Sequence, residues 1–526
     1  MKKYTLLFLA TFFFTCHSPS QEVIQKTKIK GENAPNSFSN ATNEKLQKAL
    51  LELENDPDMQ TGFQGFSLRE TQTGNIIFEK NANKNFNVAS NLKLLTTATA
   101  LLVLGDDFTF KTTLEYDGKI NNGILEGNIY IKGGGDPTLG SYKMPSATNN
   151  VTNFDDLLII WAKAIKTAGI KEIKGQIIAD TRLYDDNAIP QGWIWGDVGN
   201  YYGAPAYALN IADNSYQINF TPASKIGEIA QISGIFPQIP DIIFTNQMKT
   251  ATAGTGDNGY IDGAPYQNTR FLHGTIPQMP QGGTFSIKGS IPDPAYLCAY
   301  KLHEILKKQN INISKEATCS RLLTQILSQK NLSVSSETKK ILHIQKSPTL
   351  KDIVAWINLY SVNLYAEGVF KAVNLHLNNQ NDNNQNNTEN NTEKLLEFWK
   401  NKKISLETAK IEDGSGLSKD NSISPNLMTA LLAQMQKENA SILYSFYKSL
   451  PIAGVSGTLI NVGKNTILAG NLRAKTGSLS NAIAFSGYFK NVQGKMMCFS
   501  LVANGFKGNY GKIRPKLEKI MLRMVE

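Results

Sequence analysis

The sequence predicts an α/β (α+β) protein: an antiparallel sheet with helices on both sides, carrying a strand-rich insertion. Three observations lead there. Toward the C-terminus come a strand (Ala482 to Lys490), a turn (Asn491 to Gly494), a second strand (Lys495 to Asn504) and an amphipathic helix (Lys512 to Val525), the order of an antiparallel pair covered by a helix. Near the other end, the strand-like runs Gly65 to Glu70 and Asn75 to Lys80 flank Thr71-Gln72-Thr73-Gly74, a hairpin turn by composition. From Thr109 to Pro292, short strands alternate with turns rich in Gly, Pro and Asn.

The elements follow in order. Asn43 to Leu53 reads as a helix with Leu46, Leu50 and Leu53 on one face. Ser90 to Leu104 is apolar almost all round, which marks a buried helix; Ser90 suits its N-cap or first turn, and Gly105 is its stop. The insertion holds a helix at Asp155 to Thr167 and a strand at Gly175 to Asp180, and helical pattern returns at Ala295 to Gln309 and Leu350 to Val373. Asn378 to Glu393 has no apolar residue and reads as a solvated, flexible loop. At 526 residues one ordinary core is too small. Residues 36–108 and 293–526 are expected to form one discontinuous domain, and residues 109–292 an insertion with room for two subdomains.

Composition is globular, 41% hydrophobic and 19% charged, and the net charge is +10. No dense basic tract or nucleic-acid motif accompanies that charge, so a nucleic-acid partner is not expected. At residues 1–20, Lys2 and Lys3 precede the apolar run Tyr4 to Phe14, which is too short to span a bilayer and has the pattern of an export signal. The expected location is the periplasm or cell envelope. Cys16 stands where a lipoprotein carries its lipid, whereas Phe13-Phe14-Thr15 departs from the small residues usual before it, leaving lipidation and ordinary cleavage both open. A lipid on Cys16 would be the sole membrane attachment. A Cys298–Cys319 disulfide is likewise left open by spacing.

Three short motifs carry chemistry. In Ser90-Asn91-Leu92-Lys93, positions i and i+3 share a helix face, so the lysine amine reaches the hydroxyl and, if neutral, can take its proton. Bringing a lysine from about 10.4 to about 7–8 requires about 4 kcal/mol of burial and like-charge repulsion. Ser336–Lys339 and Ser445–Lys448 share the spacing, and a capping serine with a solvated lysine is its ordinary meaning. Only Lys93, however, lies in an otherwise apolar helix. Ser361-Val362-Asn363 supplies a hydroxyl to relay a proton and an amide to hold a peptide backbone; alone it is a polar break between helices. Lys475-Thr476-Gly477 precedes the final strand pair, where an edge strand aligns an extended peptide, Lys and Thr hold a carboxylate, and Gly allows close approach. The five histidines do not cluster, so no metal site is expected, and nothing calls for a cofactor.

This trio, in this order, is that of serine β-lactamases and penicillin-binding proteins. The chain resembles the low-molecular-mass class C penicillin-binding proteins, the D-alanyl-D-alanine carboxypeptidase/endopeptidase family, also in Val88 to Thr112 (VASNLKLLTTATALLVLGDDFTFKT), Gly133 to Leu139 (GGGDPTL), Tyr202 to Asn214 (YGAPAYALNIADN), Asp413 to Ser418 (DGSGLS) and Gly454 to Leu459 (GVSGTL). The resemblance covers Asn43 to the C-terminus and departs at Val362, often Asp in the family, and at Val88-Ala89, more usually Pro-Ala. It implies a β-lactamase-like transpeptidase domain, with the insertion between the first and second motifs.

It also implies an acyl-enzyme on Ser90, with Lys93 as base, Ser361 as proton relay and Asn363 holding the substrate amide. Lys475, Thr476, Gly477 and Ser478 would lie along the bound peptide, Lys475 would help keep Lys93 neutral, and the N–H groups of Ser90 and Ser478 would form the oxyanion hole. Peptidoglycan peptides are the expected substrates and β-lactams the expected covalent inhibitors. A serine β-lactamase is the rival, but no Glu-x-x-Leu-Asn element lies between Ser361 and Lys475 to position a hydrolytic water. A catalytically weak peptidoglycan-binding protein is the other, and the intact trio argues against it.

Overall fold

A computed structural model describes residues 40–144, 151–329, 338–379 and 392–526. The export signal at residues 1–20 with Cys16, and residues 380–391 of the Asn-rich stretch, lie outside the described residues. The ends of that stretch are helical rather than loop: Asn378 lies buried in the helix Asn363–Asn379, and Glu393 opens the helix Glu393–Asn401.

The central sheet has five antiparallel strands in the order Arg473–Leu479, Ala482–Lys490, Met496–Asn504, Phe63–Glu70, Ile76–Lys80. Both hairpins expected from the sequence are present. Gly74 turns the first with φ 77°. Alternate residues of a strand point to opposite faces, and Phe63–Glu70 shows what covers each. Gln64 donates to the Leu50 carbonyl of the helix Asn40–Glu54 at 2.7 Å, whereas the Ser67 hydroxyl meets Asn426 and Thr429 of the helix Pro425–Met435 at 2.7 and 2.9 Å. The helix Tyr510–Val525 packs beside Asn40–Glu54. With helices on both faces, Ala482 to Phe489 is buried without interruption, which is why this strand is apolar at nearly every position.

The apolar segment after Ser90 differs in detail from a single helix. Ala89–Leu92 is a 3₁₀ turn, and the α-helix runs Lys93–Leu104, ending at Gly105 with φ 84°. Leu94, Leu95, Ala98 and Leu101 lie in one buried cluster with Ile353, Ile357, Val369 and Trp399. Helices Leu350–Tyr360 and Asn363–Asn379, separated at Ser361, pack against it.

Among the described residues the insertion is built from four further sheets. One has five strands in the order Thr318–Cys319, Ile177–Asp180, Ile129–Lys132, Lys111–Tyr116, Lys340–Lys346. The region therefore reaches Lys346, past the boundary expected at Pro292. Leu297, Leu302 and Leu306 of the helix Pro294–Lys308 share a buried cluster with Leu157 and Trp161, so that helix covers the insertion rather than the central sheet. Ile218, Leu272 and Ile287 belong to the same cluster, so the insertion has a continuous core, and Asn40–Glu526 clusters as one compact unit. Cys298 and Cys319 are free and buried, as is Cys498, so the disulfide is not formed; burial pushes the Cys319 thiol to about 11 and that of Cys498 to about 12, leaving both inert.

Trp399 is fully buried and donates from Nε1 to Thr99 Oγ1 at 2.9 Å, tying the helix Glu393–Asn401 to Lys93–Leu104. Trp399→Ala should cost about 3–5 kcal/mol, read as a lower urea midpoint for the transition followed by far-UV circular dichroism.

Candidate active site

Ser90 sits in the turn Ala89–Leu92, entered by Ala89 at φ 47°, a left-handed conformation costly for a residue with a Cβ. A 3₁₀ turn has three residues per turn, so i and i+3 stand in line. Lys93 Nζ lies 3.0 Å from Ser90 Oγ. The same amine lies 2.6 Å from Asn363 Oδ1 and 2.5 Å from the Ser415 carbonyl, and it has no exposed surface. Burial is the main reason its pKa is lowered to about 7, against the opposing charges of Asp413 and Glu367.

Ser361 ends its helix at φ 59° and ψ 40°, and this break lets Asn363 start the next helix facing Lys93. Asn363 Nδ2 donates to the Tyr202 carbonyl of the insertion at 2.8 Å, which fixes the amide's orientation. Lys475 Nζ donates to Ser361 Oγ at 2.9 Å and to the Thr476 carbonyl at 2.7 Å. It too is fully buried, and burial followed by repulsion from Lys93 holds its pKa well below the usual lysine value. The Thr476 hydroxyl bonds that of Thr458 at 2.9 Å, bringing in the Gly454 to Leu459 stretch, and Ser478 is exposed. Ser90, Lys93 and Asn363 thus form one hydrogen-bonded set and Ser361 and Lys475 a second, close enough for the two lysines to repel, with Thr476 beside them on the edge strand Arg473–Leu479.

Gly477 has a different reason from the one expected. A Cβ there would lie 2.2 Å from the Val88 carbonyl oxygen and 3.2 Å from Ser90 N, so the glycine admits the turn carrying Ser90 rather than a ligand. It is this contact that sets the edge strand against the serine.

Sequence reasoning missed the groups behind Lys93. Asp413 accepts from Gly416 N, Ser418 N, Asn421 Nδ2 and Trp193 Nε1, at 2.7, 2.7, 2.8 and 2.8 Å, and so folds the loop that carries Ser415. Glu367, one helical turn after Asn363, accepts from Gly414 N at 3.1 Å, and burial with the nearby charge of Asp413 pushes its carboxyl up to about 7. The available signal was a carboxylate on an apolar helix at i+4 from Asn363. Beyond Ser361 the cleft continues into a pocket lined by Tyr201, Tyr202, Asp213, Lys143 and Trp356. Among the described residues no group of His, Cys, Asp and Glu could hold a metal, and no helix is long and apolar enough to cross a membrane.

Comparison with known proteins identifies the family. The profile of the D-Ala-D-Ala carboxypeptidase 3 (S13) family matches residues 46–522. The D-alanyl-D-alanine carboxypeptidase DacB of Haemophilus influenzae is 27% identical over 467 residues, covering 88% of this chain and 89% of that protein. The D-alanyl-D-alanine carboxypeptidase of an Actinomadura species is 25% identical over 474 residues, 88% of this chain and 80% of its own. The crystal structure of penicillin binding protein 4 from Haemophilus influenzae superposes with a TM-score of 0.74 at 24% identity, covering 91% of this chain and 98% of that one. Its complex with a β-lactam gives 0.69. A match over nearly the whole described length makes the chain a member of the D-Ala-D-Ala carboxypeptidase 3 (S13) family, among the low-molecular-mass class C penicillin-binding proteins.

Proposed function

We propose that this chain is a serine-type D-alanyl-D-alanine carboxypeptidase and endopeptidase that acts on peptidoglycan stem peptides through an acyl-enzyme on Ser90. One observation supports this above the rest: the Lys93 amine, closed off from water and lowered to about 7, is within hydrogen-bond reach of both Ser90 Oγ and Asn363 Oδ1. A neutral amine there accepts the Ser90 proton as Oγ attacks the D-alanyl carbonyl. The N–H groups of Ser90 and Ser478 receive the oxyanion; such a donor is worth about 10²–10³ in rate. Ser361 lies 2.9 Å from Lys475 Nζ and passes a proton to the departing amine. Water then hydrolyses the acyl-enzyme.

Lys475 and Thr476 hold the substrate carboxylate. Two buried ammonium groups this close repel, so a carboxylate that settles a proton on Lys475 keeps Lys93 neutral when it must act as base. Asn363, already oriented by Tyr202, presents its amide to the substrate backbone. The pocket past Ser361 leaves room for more than a single departing D-alanine, which favours cross-linked peptides as well as free ends. β-Lactams acylate Ser90 by the same route. The pattern of residues 1–20 suits work outside the cytoplasm, in the envelope where the peptides are.

Purified protein should become labelled by fluorescent penicillin, with Ser90→Ala removing all label while its circular dichroism is unchanged. Labelling of that variant at the wild-type rate would sink the assignment. The penicilloyl adduct should survive denaturing electrophoresis; turnover of penicillin within the mixing time would mark a β-lactamase instead.

Lys93 must be neutral, so activity is present above its pKa and lost below it. Below pH of about 7, kcat/KM for a D-Ala-D-Ala peptide should fall about tenfold per pH unit. A profile flat down to pH of about 5 would exclude Lys93 as base.

A further inference from the structure

Between Lys93 and the helix Asn363–Asn379 lies the loop Asp413 to Ser418, and its glycines show how tightly it is held. A Cβ at Gly416 would stand 1.9 Å from the Ala89 carbonyl oxygen, against the turn that carries Ser90. On the loop's other side, a Cβ at Gly414 would stand 2.4 Å from Phe370 Cβ and 2.9 Å from the Ala366 carbonyl oxygen. The loop is a spacer with no slack, and Ser415, between those glycines, turns its carbonyl to the Lys93 amine at 2.5 Å.

Two carboxylates hold this loop, and they are not equivalent. Asp413 is enclosed by N–H donors from Gly416, Ser418, Asn421 and Trp193, which make it the internal frame of the turn. Glu367 comes from outside. Both its oxygens face Gly414 N, at 3.1 and 3.2 Å, and its carboxylate also takes the Ser415 hydroxyl. We propose that Glu367 is a positioning residue for acylation, clamping the Gly414-Ser415 segment so that the Ser415 carbonyl stays aimed at the amine of Lys93. This rests on the reading of Ser90 and Lys93 as nucleophile and base. The helix that sets Asn363 on one side of the amine thereby sets the carbonyl on another, through a residue one turn further along.

The charges facing Glu367 are Asp413 and Lys93 from the elements packed on it, and Lys371 from its own helix. Where its own carboxyl, pushed up to about 7, is ionised, Glu367 raises the pKa of Lys93, so removing it lowers that pKa. Clamp and charge separate in two variants. Glu367→Gln keeps an oxygen for Gly414 N but loses the charge; Glu367→Asp keeps the charge but falls short of the loop.

The test is the second-order rate constant for acylation by fluorescent penicillin between about pH 5 and 9, with thermal midpoints confirming that each variant is folded. In Glu367→Gln the acid limb should move down by roughly half a pH unit or more, with the plateau within about tenfold of wild type. In Glu367→Asp the limb should stay and the plateau fall about 10²-fold, as a misplaced catalytic group predicts. If both variants fall equally at every pH with the limb in place, Glu367 is structural only and the proposal is wrong. Should Glu367→Gln fail to fold, the Glu367→Asp profile alone decides, since a wild-type plateau there refutes the clamp. If wild type itself takes no label, the reading of Ser90 fails first, a different result from any of these.

Discussion

The amine of Lys93 is cut off from water, and its hydrogen-bond partners are neutral oxygens: a hydroxyl, a side-chain amide and a peptide carbonyl. Much of the architecture serves that condition. An ammonium in such a place costs several kcal/mol unless it is compensated, and the carboxylates that would compensate it, Asp413 and Glu367, are occupied with the N–H groups of the neighbouring loop. The amine is thus solvated just well enough to be held and poorly enough to be a base near neutrality. Each of its partners comes from a different part of the chain: the turn before its own helix, the break at Ser361, and the loop after Asp413. None of these positions survives alone, because each is set by close backbone contact with the next.

Several of these parts were legible in the sequence for identifiable reasons. Lys93 stood out because a lysine in an apolar helix lacks an ordinary explanation, and Lys475 because its motif adjoins strands whose uninterrupted burial shows in their composition. Ser361 and Asn363 were legible only through order, since their local pattern is that of any helix break. The 3₁₀ character of the turn at Ser90 was hidden, as it arises from Ala89 at positive φ pressed between Gly416 and Gly477, a contact between segments hundreds of residues apart. Glu367 was hidden too. On a sequence it is one glutamate among many, and its burial depends on a loop that arrives later in the chain.

The insertion's extent was misjudged for a related reason. An amphipathic helix shows which face it buries but not what it buries it against, and Pro294–Lys308 turned to the insertion's core. The insertion is also no mere appendage. Tyr202 holds Asn363, and Trp193 reaches Asp413, so two of its residues complete the shell around the lysine. Both lie in stretches rich in aromatic and glycine residues, whose reading as turns gave no hint of the partner.

The central sheet joins the first strand among the described residues, Phe63–Glu70, to the last, Met496–Asn504. That pairing has a consequence for how the protein comes into being. A ribosome releases the N-terminal hairpin long before Met496–Asn504 exists, so one edge of Phe63–Glu70 and its apolar face must wait through synthesis of almost the entire chain. The insertion, whose contacts are more local, can form in the meantime, and domains generally assemble as their own residues become available. Contacts between segments so far apart in sequence form slowly. The site around Ser90 is therefore among the last parts to be assembled, and a chain missing its final strands would carry the serine and its lysine without the edge strand that completes the cleft.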